Sequence, residues 1–429
     1  MPGSSRRSPQ ATERAALVGL VTGLGRRVDA EQSLDELAGL AQAAGATVVA
    51  RVLQERERPD ASTFVGAGKV AALAQLCAEA DVDVVVFDNE LTPAQLRQIE
   101  ARVDRKIVDR TQLILDIFAR RARTREGKCQ VELAQLKYLL PRLVGASVAL
   151  SRLGGGIGTR GPGETKLETD RRRIRHRISA ITRDIDRVRQ RRAQLRERRH
   201  KASVPTVALV GYTNAGKTTL FNLLTGEKAP TSNALFVTLD PLVRRVRLPD
   251  RRELLVSDTV GFIDRLPHSL VAAFRATLEE VAEADLLLHV IDAAVRDHER
   301  HMAAVRRVLD EVGAGEVPVI EVFNKCDTID EAEQRRLQQQ YPASVCMAAL
   351  FGDGRDDLLE TIASRLALDT RPLMLHFRVG SEGDRQRIAL LYRHARVLTH
   401  TTSDGYIAIE AEVPRRLLER FAPQRTDER

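Results

Sequence analysis

The chain has 429 residues, 43% of them hydrophobic, and its 67 Lys and Arg against 59 Asp and Glu leave a net charge of +8. This length predicts about three domains, and the sequence contains no run of about 18 apolar residues that could span a membrane. The four cysteines lie far apart without CxxC spacing, which argues against a zinc site or a disulfide framework and favours a reducing cytosol. We interpret them as buried or incidental thiols: Cys77, Cys129, Cys326 and Cys346.

The N-terminal part has the pattern of a small α/β domain. Residues 1–12 are polar and expected to be disordered, whereas residues 13–107 alternate short apolar runs with helical stretches, which predicts a mostly parallel sheet. The apolar patch AALVGLVTGLG is interpreted as the first buried strand and not as a signal peptide. The stretch VGAGKVA imitates a phosphate-binding loop, but Val70 follows its lysine where a Ser or Thr is needed. We expect it to be a turn that opens a helix.

Residues 108–202 are predicted to form an antiparallel helical hairpin. Two apolar seams with 4-3-4-3 spacing flank a glycine-rich tip at 144–168, a pattern typical of coiled-coil-like packing. The seams consist of Cys129, Leu133, Leu136, Leu140 and Leu143, and of Ile174, Ile178, Ile181, Ile185 and Val188. Pro141 is expected near the end of the first helix, and a capping box of Thr165 and Glu168 predicts the start of the second.

The positive charge is concentrated on the second helix of this arm. Between Asp170 and Lys201, thirteen Arg and one Lys stand against four acidic residues, so this segment carries +10 and the rest of the chain −2. Such a concentration is the electrostatic footprint of a polyanionic partner. The alternative is a solvated helix face that is merely rich in arginine.

Residues 203–367 alternate strands and helices in a βαβ pattern and contain a nucleotide motif. GYTNAGKT follows a buried strand and precedes a helix, so its backbone N–H groups can surround phosphate oxygens at the helix N-terminus. Lys217 is expected to neutralise the β- and γ-phosphates, and Thr218 to ligate Mg²⁺. The predicted nucleotide-binding residues of this loop are Gly211, Tyr212, Thr213, Asn214, Ala215, Gly216, Lys217, Thr218 and Thr219.

A D-x-x-G sequence follows the next apolar strand. Asp258 can hold the Mg²⁺ shell and the Gly261 N–H can sense the γ-phosphate. The intervening predicted nucleotide-binding residues are Thr259 and Val260. Thr238 is the preferred second Mg²⁺ ligand from a loop between the two motifs, with Thr231 and Ser232 as weaker rivals.

The sequence NKCD then indicates which base is bound. Asp327 can accept two hydrogen bonds from the N1 and N2 edge of guanine, a donor pair that adenine lacks. Asn324 is expected to tie this loop to the phosphate loop, and Lys325 belongs to the same predicted site. In this order the motifs predict a GTPase, with a P-loop kinase of a small metabolite as the competing interpretation. With a small α+β domain expected at 371–429, the predicted fold class is multidomain α/β.

The motifs together resemble one family. GYTNAGKTTLFN, LFVTLDP, DTVGFIDRLPH and NKCD, with GGGIGTRGPGETKLETDRRR and RTREGKCQVELAQLKYLLPRL upstream, are similar to the HflX family of translational GTPases over about residues 15–367. The resemblance implies binding to the large (50S) ribosomal subunit and its ribosomal RNA, and GTP-dependent splitting or rescue of stalled ribosomes. The arm residues expected to contact RNA are Arg152, Arg160, Lys166, Arg171, Arg172 and Arg173.

Two stretches of the chain depart from common GTPase patterns. Ala348, Ala349 and Leu350 stand where the family has S-A-K, so the Ala349 N–H is expected to meet guanine O6 from a loop that lacks the bracing serine. Looser selectivity, with some ATP hydrolysis, is the expected consequence. Phe262 follows Gly261, where many small GTPases place the glutamine that orients the attacking water. We therefore expect slow intrinsic hydrolysis and a partner that completes the site.

The predicted catalytic residues are Lys217, Thr238 and Gly261, with Mg²⁺ as cofactor and Ala348 and Ala349 added to the nucleotide-binding set. Resemblance to potassium-dependent GTPases makes Asn214 the candidate ligand of a K⁺ that replaces an arginine finger.

Three functions remain open on the sequence. The preferred one is a GTP-gated ribosome factor; a ribosome-assembly or RNA-remodelling factor is not separated from it. The third is a signalling switch whose arginine-rich helix binds a protein or an anionic membrane, although the helix lacks an aromatic face for membrane insertion. We expect a cytoplasmic monomer, with peripheral attachment to a membrane as the alternative location.

Overall fold

The computed structural model describes residues 12–23, 27–151, 162–202, 204–229, 231, 235–239, 241–249, 252–264, 280–367, 370–403, 405–414 and 418–421. These residues form two compact units. The first holds the described residues up to Val188 together with 235–239, and the second holds the others. No described helix combines the length and the apolar character that crossing a membrane demands.

A four-stranded, wholly parallel sheet lies at the centre of the N-terminal part. Its strands are β1 (Glu13–Thr22), β2 (Ala46–Arg56), β3 (Val84–Phe87) and β4 (Lys106–Asp109), in the order β2-β1-β3-β4. The helices are α1 (Arg27–Ala43), α2 (Ala67–Glu79), α3 (Pro93–Val103) and α4 (Arg110–Arg121). All four residues of β3 are buried, as in parallel strands covered on both faces. The predicted parallel α/β layer is confirmed.

The turn that imitates a phosphate loop opens a helix, as expected. Helix α2 begins at Ala67, and its N-cap Gly66 has φ −62°, a backbone conformation open to most residues. Val70 is 1% exposed and packs in the core of the sheet. A hydrophobic residue therefore occupies the place at which a Mg²⁺-binding hydroxyl would be needed.

The arm is an antiparallel hairpin of α5 (Arg125–Ser151) and α6 (Pro162–Ala202). The predicted seam is confirmed over its described part, where Leu133 packs with Ile181 and Ile185. Outside the seam, Arg177 Nε and Nη2 donate to the carboxylate of Glu132 at 2.6 and 2.8 Å. Both partners of this ion pair are partly or largely exposed, so it contributes little stability.

Two details of the arm differ from expectation. Helix α6 begins at Pro162, so the predicted start at the capping box of Thr165 is wrong; proline suits a first helical turn because its φ is preset and its missing N–H has no partner there anyway. Helix α5 also continues through Pro141 to Ser151. The glycine-rich residues 152–161 lie outside the described residues.

The second unit contains a six-stranded sheet. Its strands are β5 (Thr206–Gly211), β6 (Leu242–Arg247), β7 (Glu253–Asp258), β8 (Leu286–Asp292), β9 (Val319–Asn324) and β10 (Val345–Cys346), in the order β10-β9-β8-β5-β7-β6. Its helices are α7 (Lys217–Thr225), α8 (His298–Glu311), α9 (Glu331–Gln340) and α10 (Arg355–Ala367). The predicted strands are present, but the pattern is not strictly βαβ because β6 pairs antiparallel with β7. This edge strand was missed, since its sequence LVRRVR places arginines in the middle.

The C-terminal part is a three-stranded antiparallel sheet with two helices, as the α+β prediction required. It consists of β11 (Thr370–Arg378), α11 (Glu382–His394), β12 (Arg396–Ser403), β13 (Tyr406–Pro414) and α12 (Leu418–Phe421), with the strand order β11-β13-β12. Strand β12 was missed because seven of its eight residues are exposed, which removes the apolar alternation of a half-buried strand.

Candidate nucleotide-binding site

The phosphate loop lies between the end of β5 at Gly211 and the start of α7 at Lys217. Gly216 has φ +94°, and a Cβ at this position would lie 2.1 Å from Asn324 Nδ2. At Gly211 a Cβ would lie 2.2 Å from the carbonyl oxygen of Val290 on β8. Only glycine fits these two positions, so the loop is shaped by backbone geometry and by the neighbouring strands.

Lys217 points back into its own loop. Its Nζ donates to the carbonyl oxygens of Gly211 at 3.0 Å and Tyr212 at 2.7 Å, and the residue is 6% exposed. Burial lowers the pKa of Lys217 from 10.5 to about 8, although Asp258 opposes the shift. A cation held in a buried loop at a helix N-terminus suits the phosphates of a nucleotide.

The two predicted Mg²⁺ ligands of this unit are adjacent. Thr218 Oγ1 donates to Asp258 Oδ2 at 2.9 Å, and Asp258 is fully buried at the end of β7. A hydroxyl and a carboxylate are the oxygen donors that Mg²⁺ prefers, so the donor set fits the ion. Close by, a Cβ on Gly261 would lie 3.0 Å from Lys217 Nζ, which explains why glycine follows the strand here.

The D-x-x-G segment is held against the phosphate loop by backbone hydrogen bonds. The Phe262 N–H donates to Gly211 O at 3.1 Å, and the Thr213 N–H donates to Phe262 O at 2.7 Å. The Phe262 side chain is 1% exposed, so it faces the core and does not orient water. Within the motif, the buried Thr259 hydroxyl donates to Leu209 O at 2.6 Å, a structural contact.

A contact set around Tyr212 was not predicted. Tyr212 Oη accepts from the Asp264 N–H at 2.7 Å, and the Tyr212 ring stacks on His301 at a centroid distance of 3.8 Å. Arg300 pairs with the Asp264 carboxylate at 2.8 Å. These contacts join the phosphate loop to the chain after the D-x-x-G motif and to α8. No motif indicates Arg300 or His301, because both lie on a helix with no sequence signature of its own.

Asn324 joins the two loops at the base end of the site. Its Nδ2 donates to Ala215 O at 2.9 Å, the expected tie to the phosphate loop, and its Oδ1 accepts from the Ala349 N–H at 2.9 Å. Lys325 donates to Asp292 Oδ2 at 2.6 Å. The exposed Asp327 follows at the start of a short 3-10 turn, Cys326–Thr328.

The loop of Ala348 and Ala349 requires two corrections. The Ala349 N–H is engaged by Asn324, so the expected bond from this N–H to guanine O6 does not fit the observed arrangement. The loop is also well braced without a serine: the Ala348 N–H donates to Asp353 O at 3.0 Å, and Ala348 O accepts from the N–H groups of Phe351 and Gly352 at 3.0 and 2.9 Å. Backbone hydrogen bonds replace the missing hydroxyl.

Four further residues were predicted for this site: Thr238, Thr231, Ser232 and Asn214. Thr238 belongs to the first unit, in which its neighbour Phe236 packs edge-on against Phe118 with a centroid distance of 4.6 Å. Thr231 is exposed, and Ser232 lies outside the described residues. Asn214 is exposed at φ +61° in the phosphate loop. The roles of Thr238 and Asn214 therefore stay predictions.

The predicted RNA contacts are only partly described. Arg171 pairs with Glu168 at 3.2 Å and Arg173 with Asp170 at 3.5 Å, whereas Arg172 is exposed on α6. Arg152 and Arg160 lie outside the described residues, as does the side chain of Lys166.

A phosphate loop between strand and helix, a threonine hydroxyl bonded to a buried aspartate, and an NKxD loop at the end of another strand of the same sheet together define a P-loop GTPase. Three family models match the chain in sequence: a GTP-binding GTPase N-terminal model at residues 31–119, a GTP-binding GTPase middle region at 121–199, and a 50S ribosome-binding GTPase model at 206–325.

Whole-chain relatives agree. The chain is 45% identical to GTPase HflX of Caldanaerobacter subterraneus subsp. tengcongensis, covering 95% of this chain and 93% of the relative, and 44% identical to GTPase HflX of Escherichia coli, covering 89% and 90%. A solved GTP-binding protein of Sulfolobus solfataricus in complex with GDP aligns over 82% of this chain and 98% of its own, at 23% identity and a TM-score of 0.43. The chain belongs to the HflX family of GTPases and hydrolyses GTP to GDP and phosphate.

Proposed function

We propose that this GTPase acts in the cytoplasm, as a monomer, on the large ribosomal subunit, and that it splits or rescues stalled ribosomes. The observation that carries the proposal is the combination of a GTP site with a hairpin whose second helix concentrates +10 of charge between Asp170 and Lys201. Ribosomal RNA is the polyanion that such a helix fits. The description of the matching G-domain model, a 50S ribosome-binding GTPase, supports the same partner.

Each residue of the proposed site has a separate role in binding or hydrolysing the nucleotide. Lys217 binds the β- and γ-phosphates, and the Gly261 N–H reports whether the γ-phosphate is present. Thr218 and Asp258 hold Mg²⁺, with Thr238 as the proposed second loop ligand; when bound, Mg²⁺ neutralises charge on the phosphates. Asp327 accepts hydrogen bonds from guanine. Loss of the γ-phosphate releases the loops and lowers the affinity for the subunit.

The buried Phe262 side chain means that the site needs another group to orient the attacking water. Since it faces the core, the attacking water must be oriented by another group, and the proposed source is the ribosomal subunit. GTP hydrolysis should therefore rise at least about tenfold when large subunits are added. A rate that large and small subunits leave equally unchanged would contradict this part of the proposal.

Splitting is distinguished from subunit assembly by the direction of the reaction. The protein with GTP is added to intact ribosomes, and free subunits are measured on a sucrose gradient. Splitting predicts free subunits with GTP and few with GDP. Intact ribosomes in both cases, with binding to immature large subunits instead, would favour the assembly or RNA-remodelling alternative.

The arm is tested through Arg172, which is exposed between two arginines that pair with acidic neighbours. Arg172→Ala should weaken binding to large subunits a few-fold and reduce the slope of log affinity against log salt by about 1. Arg335→Ala, at an exposed arginine of α9, is the matched control and should change neither quantity. Equal effects of the two variants would refute an RNA contact at Arg172.

We also propose that Asn214 contributes to a K⁺ site next to the γ-phosphate. Its positive φ of +61° and its exposure place it at the surface of the phosphate loop. Hydrolysis should be faster in KCl than in NaCl, and Asn214→Ala should remove the difference. Equal rates of the wild-type protein in both salts would exclude this role.

A further inference from the structure

Two cysteines that lie twenty positions apart in the sequence meet at the base end of the GTP site. Cys346 is the last residue of β10, and Cys326 opens the 3-10 turn that follows β9, the neighbouring parallel strand. The Cys326 N–H donates to Met347 O at 3.1 Å, and the Met347 N–H donates to Phe323 O at 2.8 Å. These bonds hold the backbones of the two cysteines side by side.

Their side chains share one apolar environment. Cys326 belongs to the apolar cluster that contains Phe323 and Leu337, and Cys346 packs against the same cluster. The Cys326 thiol donates to Phe323 O at 3.2 Å. Cys326 is 6% exposed, whereas Cys346 is half-buried. Cys346 is therefore the more accessible residue of the pair.

We propose that Cys326 and Cys346 are an oxidisable pair that a hydroperoxide converts to a disulfide, and that this bond weakens guanine nucleotide binding. The effect on nucleotide binding follows from the residues next to the two cysteines in the sequence. Cys326 lies directly before Asp327, and Ala348 and Ala349 follow Cys346 closely. A disulfide requires the two sulfurs to approach to about 2.05 Å with a fixed dihedral angle, which must displace both loops.

The chemistry balances with one peroxide. The Cys346 thiolate attacks a peroxide oxygen, so an S–O bond forms, the O–O bond breaks, and the leaving hydroxide takes a proton to become water. Cys326 then attacks the sulfur of the Cys346 sulfenic acid; an S–S bond forms, the S–O bond breaks, and a second water leaves with the Cys326 proton. Two thiols lose two electrons in total, and the hydroperoxide is reduced. A dithiol reverses the reaction.

The protonation of the pair agrees with these roles. The neighbouring Cys326 thiol lowers the pKa of Cys346 to about 7, whereas the neighbouring Cys346 thiol and burial raise the pKa of Cys326. The thiolate is the reactive form, so Cys346 is the first of the two to react with the peroxide. Burial raises the pKa of the other two thiols, Cys77 and Cys129, which makes them natural controls.

The test begins with the reduced wild-type protein and one equivalent of hydrogen peroxide. Remaining thiols are blocked with N-ethylmaleimide, and a tryptic digest is analysed by mass spectrometry. Cleavage after Lys325, Arg335, Arg336 and Arg355 separates the two cysteines, so the disulfide is seen as peptides 326–335 and 337–355 linked at a mass two hydrogens below their sum. The linked species should disappear on reduction and be absent in Cys346→Ser, but persist in a Cys77→Ser, Cys129→Ser double variant.

The same samples are then titrated with a fluorescent GDP analogue. Oxidation should raise the Kd of the wild-type protein about tenfold, the loss expected when hydrogen bonds to the base are strained. The Kd of Cys346→Ser should not respond to peroxide. Oxidation of Cys346 to a sulfinic acid without any linked peptides would refute disulfide formation between Cys326 and Cys346. This measurement needs only the wild-type protein.

The consequence for binding rests on the proposed role of Asp327 in guanine recognition, whereas disulfide formation does not. Linked peptides with an unchanged Kd would overturn the second part of the proposal alone. Failure of the reduced protein to bind the GDP analogue would refute the nucleotide site and leave the mass-spectrometric result standing.

Discussion

Each unit contains a sheet that is wholly or mostly parallel and a glycine–lysine sequence near the start of a helix, yet the two glycine–lysine segments have different conformations. In the N-terminal part, Gly68 before Lys69 lies inside helix α2, the N-cap Gly66 has φ −62°, and Val70 is buried in the core. In the second sheet, Gly216 has φ +94° and Lys217 is buried within its own loop. A glycine and a lysine alone therefore do not make a phosphate site; the left-handed glycine and the hydroxyl after the lysine do.

The carboxyl ends of the strands differ in the same way. Ligands of open parallel sheets bind at this edge. In the N-terminal sheet it is closed by the protein's own ion pairs: Arg110 donates to Asp88 at 2.9 Å and pairs with Glu36, and Arg142 donates to Asp109 at 3.0 Å. In the second sheet the corresponding edge carries the buried Lys217. One edge is used for stability and the other for binding.

The largest test of this contrast concerns the two lysines. Lys217→Ala should reduce GTP hydrolysis by about a thousandfold, because it removes the cation that stabilises charge on the transferred phosphate. Lys69→Ala, the same change in the imitating turn, should leave the rate unchanged. Steady-state phosphate release measures both. A loss of activity in Lys69→Ala comparable to that of Lys217→Ala would contradict the claim that only the Lys217 loop binds phosphate.

The closed edge is tested through Arg142. Arg142→Ala leaves the fully buried Asp109 carboxylate without its cation, so the N-terminal part should lose about 3 kcal/mol of unfolding free energy. Urea unfolding followed by circular dichroism measures the loss. Arg371→Ala, at an exposed arginine of β11, is the control and should stay within about 0.5 kcal/mol of wild type. A wild-type unfolding curve for Arg142→Ala would show that the pair is not needed.

The glycines provide a smaller, matched effect. Gly216→Ala places a Cβ at φ +94° against Asn324, so GDP binding should weaken by about 2 kcal/mol. Gly68→Ala lies in the first turn of α2 with nothing within 4 Å of the added Cβ, and should leave GDP affinity unchanged while stabilising the helix by up to about 1 kcal/mol. Isothermal titration calorimetry and thermal unfolding separate the two outcomes. Unimpaired binding by Gly216→Ala would contradict the geometric account of the loop.

The smallest expected effect is a pH dependence. Since burial lowers the pKa of Lys217 to about 8, the free protein loses this charge above pH 8, and binding a polyphosphate must restore it. GDP affinity should therefore fall up to about tenfold per pH unit above 8, with proton uptake on binding. Calorimetry in two buffers of different ionisation enthalpy measures the uptake. Affinity that is constant from pH 7.5 to 9 would contradict it.

The lowered pKa of Lys217 also affects how the stability of the folded protein changes with pH. The unfolded chain binds more protons at Lys217 than the folded chain between about pH 8 and 10.5, so this residue adds to the stability of the nucleotide-free protein as pH rises through that window. Below pH 8 it is charged in both states, and its burial is a constant cost.

Much of the fold followed from local patterns. The seam that joins Leu133 to Ile181 was predictable because helical periodicity is a property of neighbouring residues. Strands β6 and β12 were missed because their residues do not alternate between apolar and polar as those of a half-buried strand do. The bond from Ala349 to Asn324 was also outside local reasoning, since it joins two loops that only the strand order brings together.

The sequence by itself determined the parts whose chemistry is contiguous: the phosphate loop, the D-x-x-G and NKxD motifs, and the basic helix. Tertiary structure alone decided the contacts between them. From the sequence, Cys326 and Cys346 were interpreted as buried or incidental thiols, whereas the parallel pairing of β9 and β10 places their backbones side by side. The ion pair of Arg300 on α8 with Asp264 could not be predicted from either local sequence. The physical reason is that a motif encodes the conformation of one short segment, whereas contacts between segments depend on strand order and register.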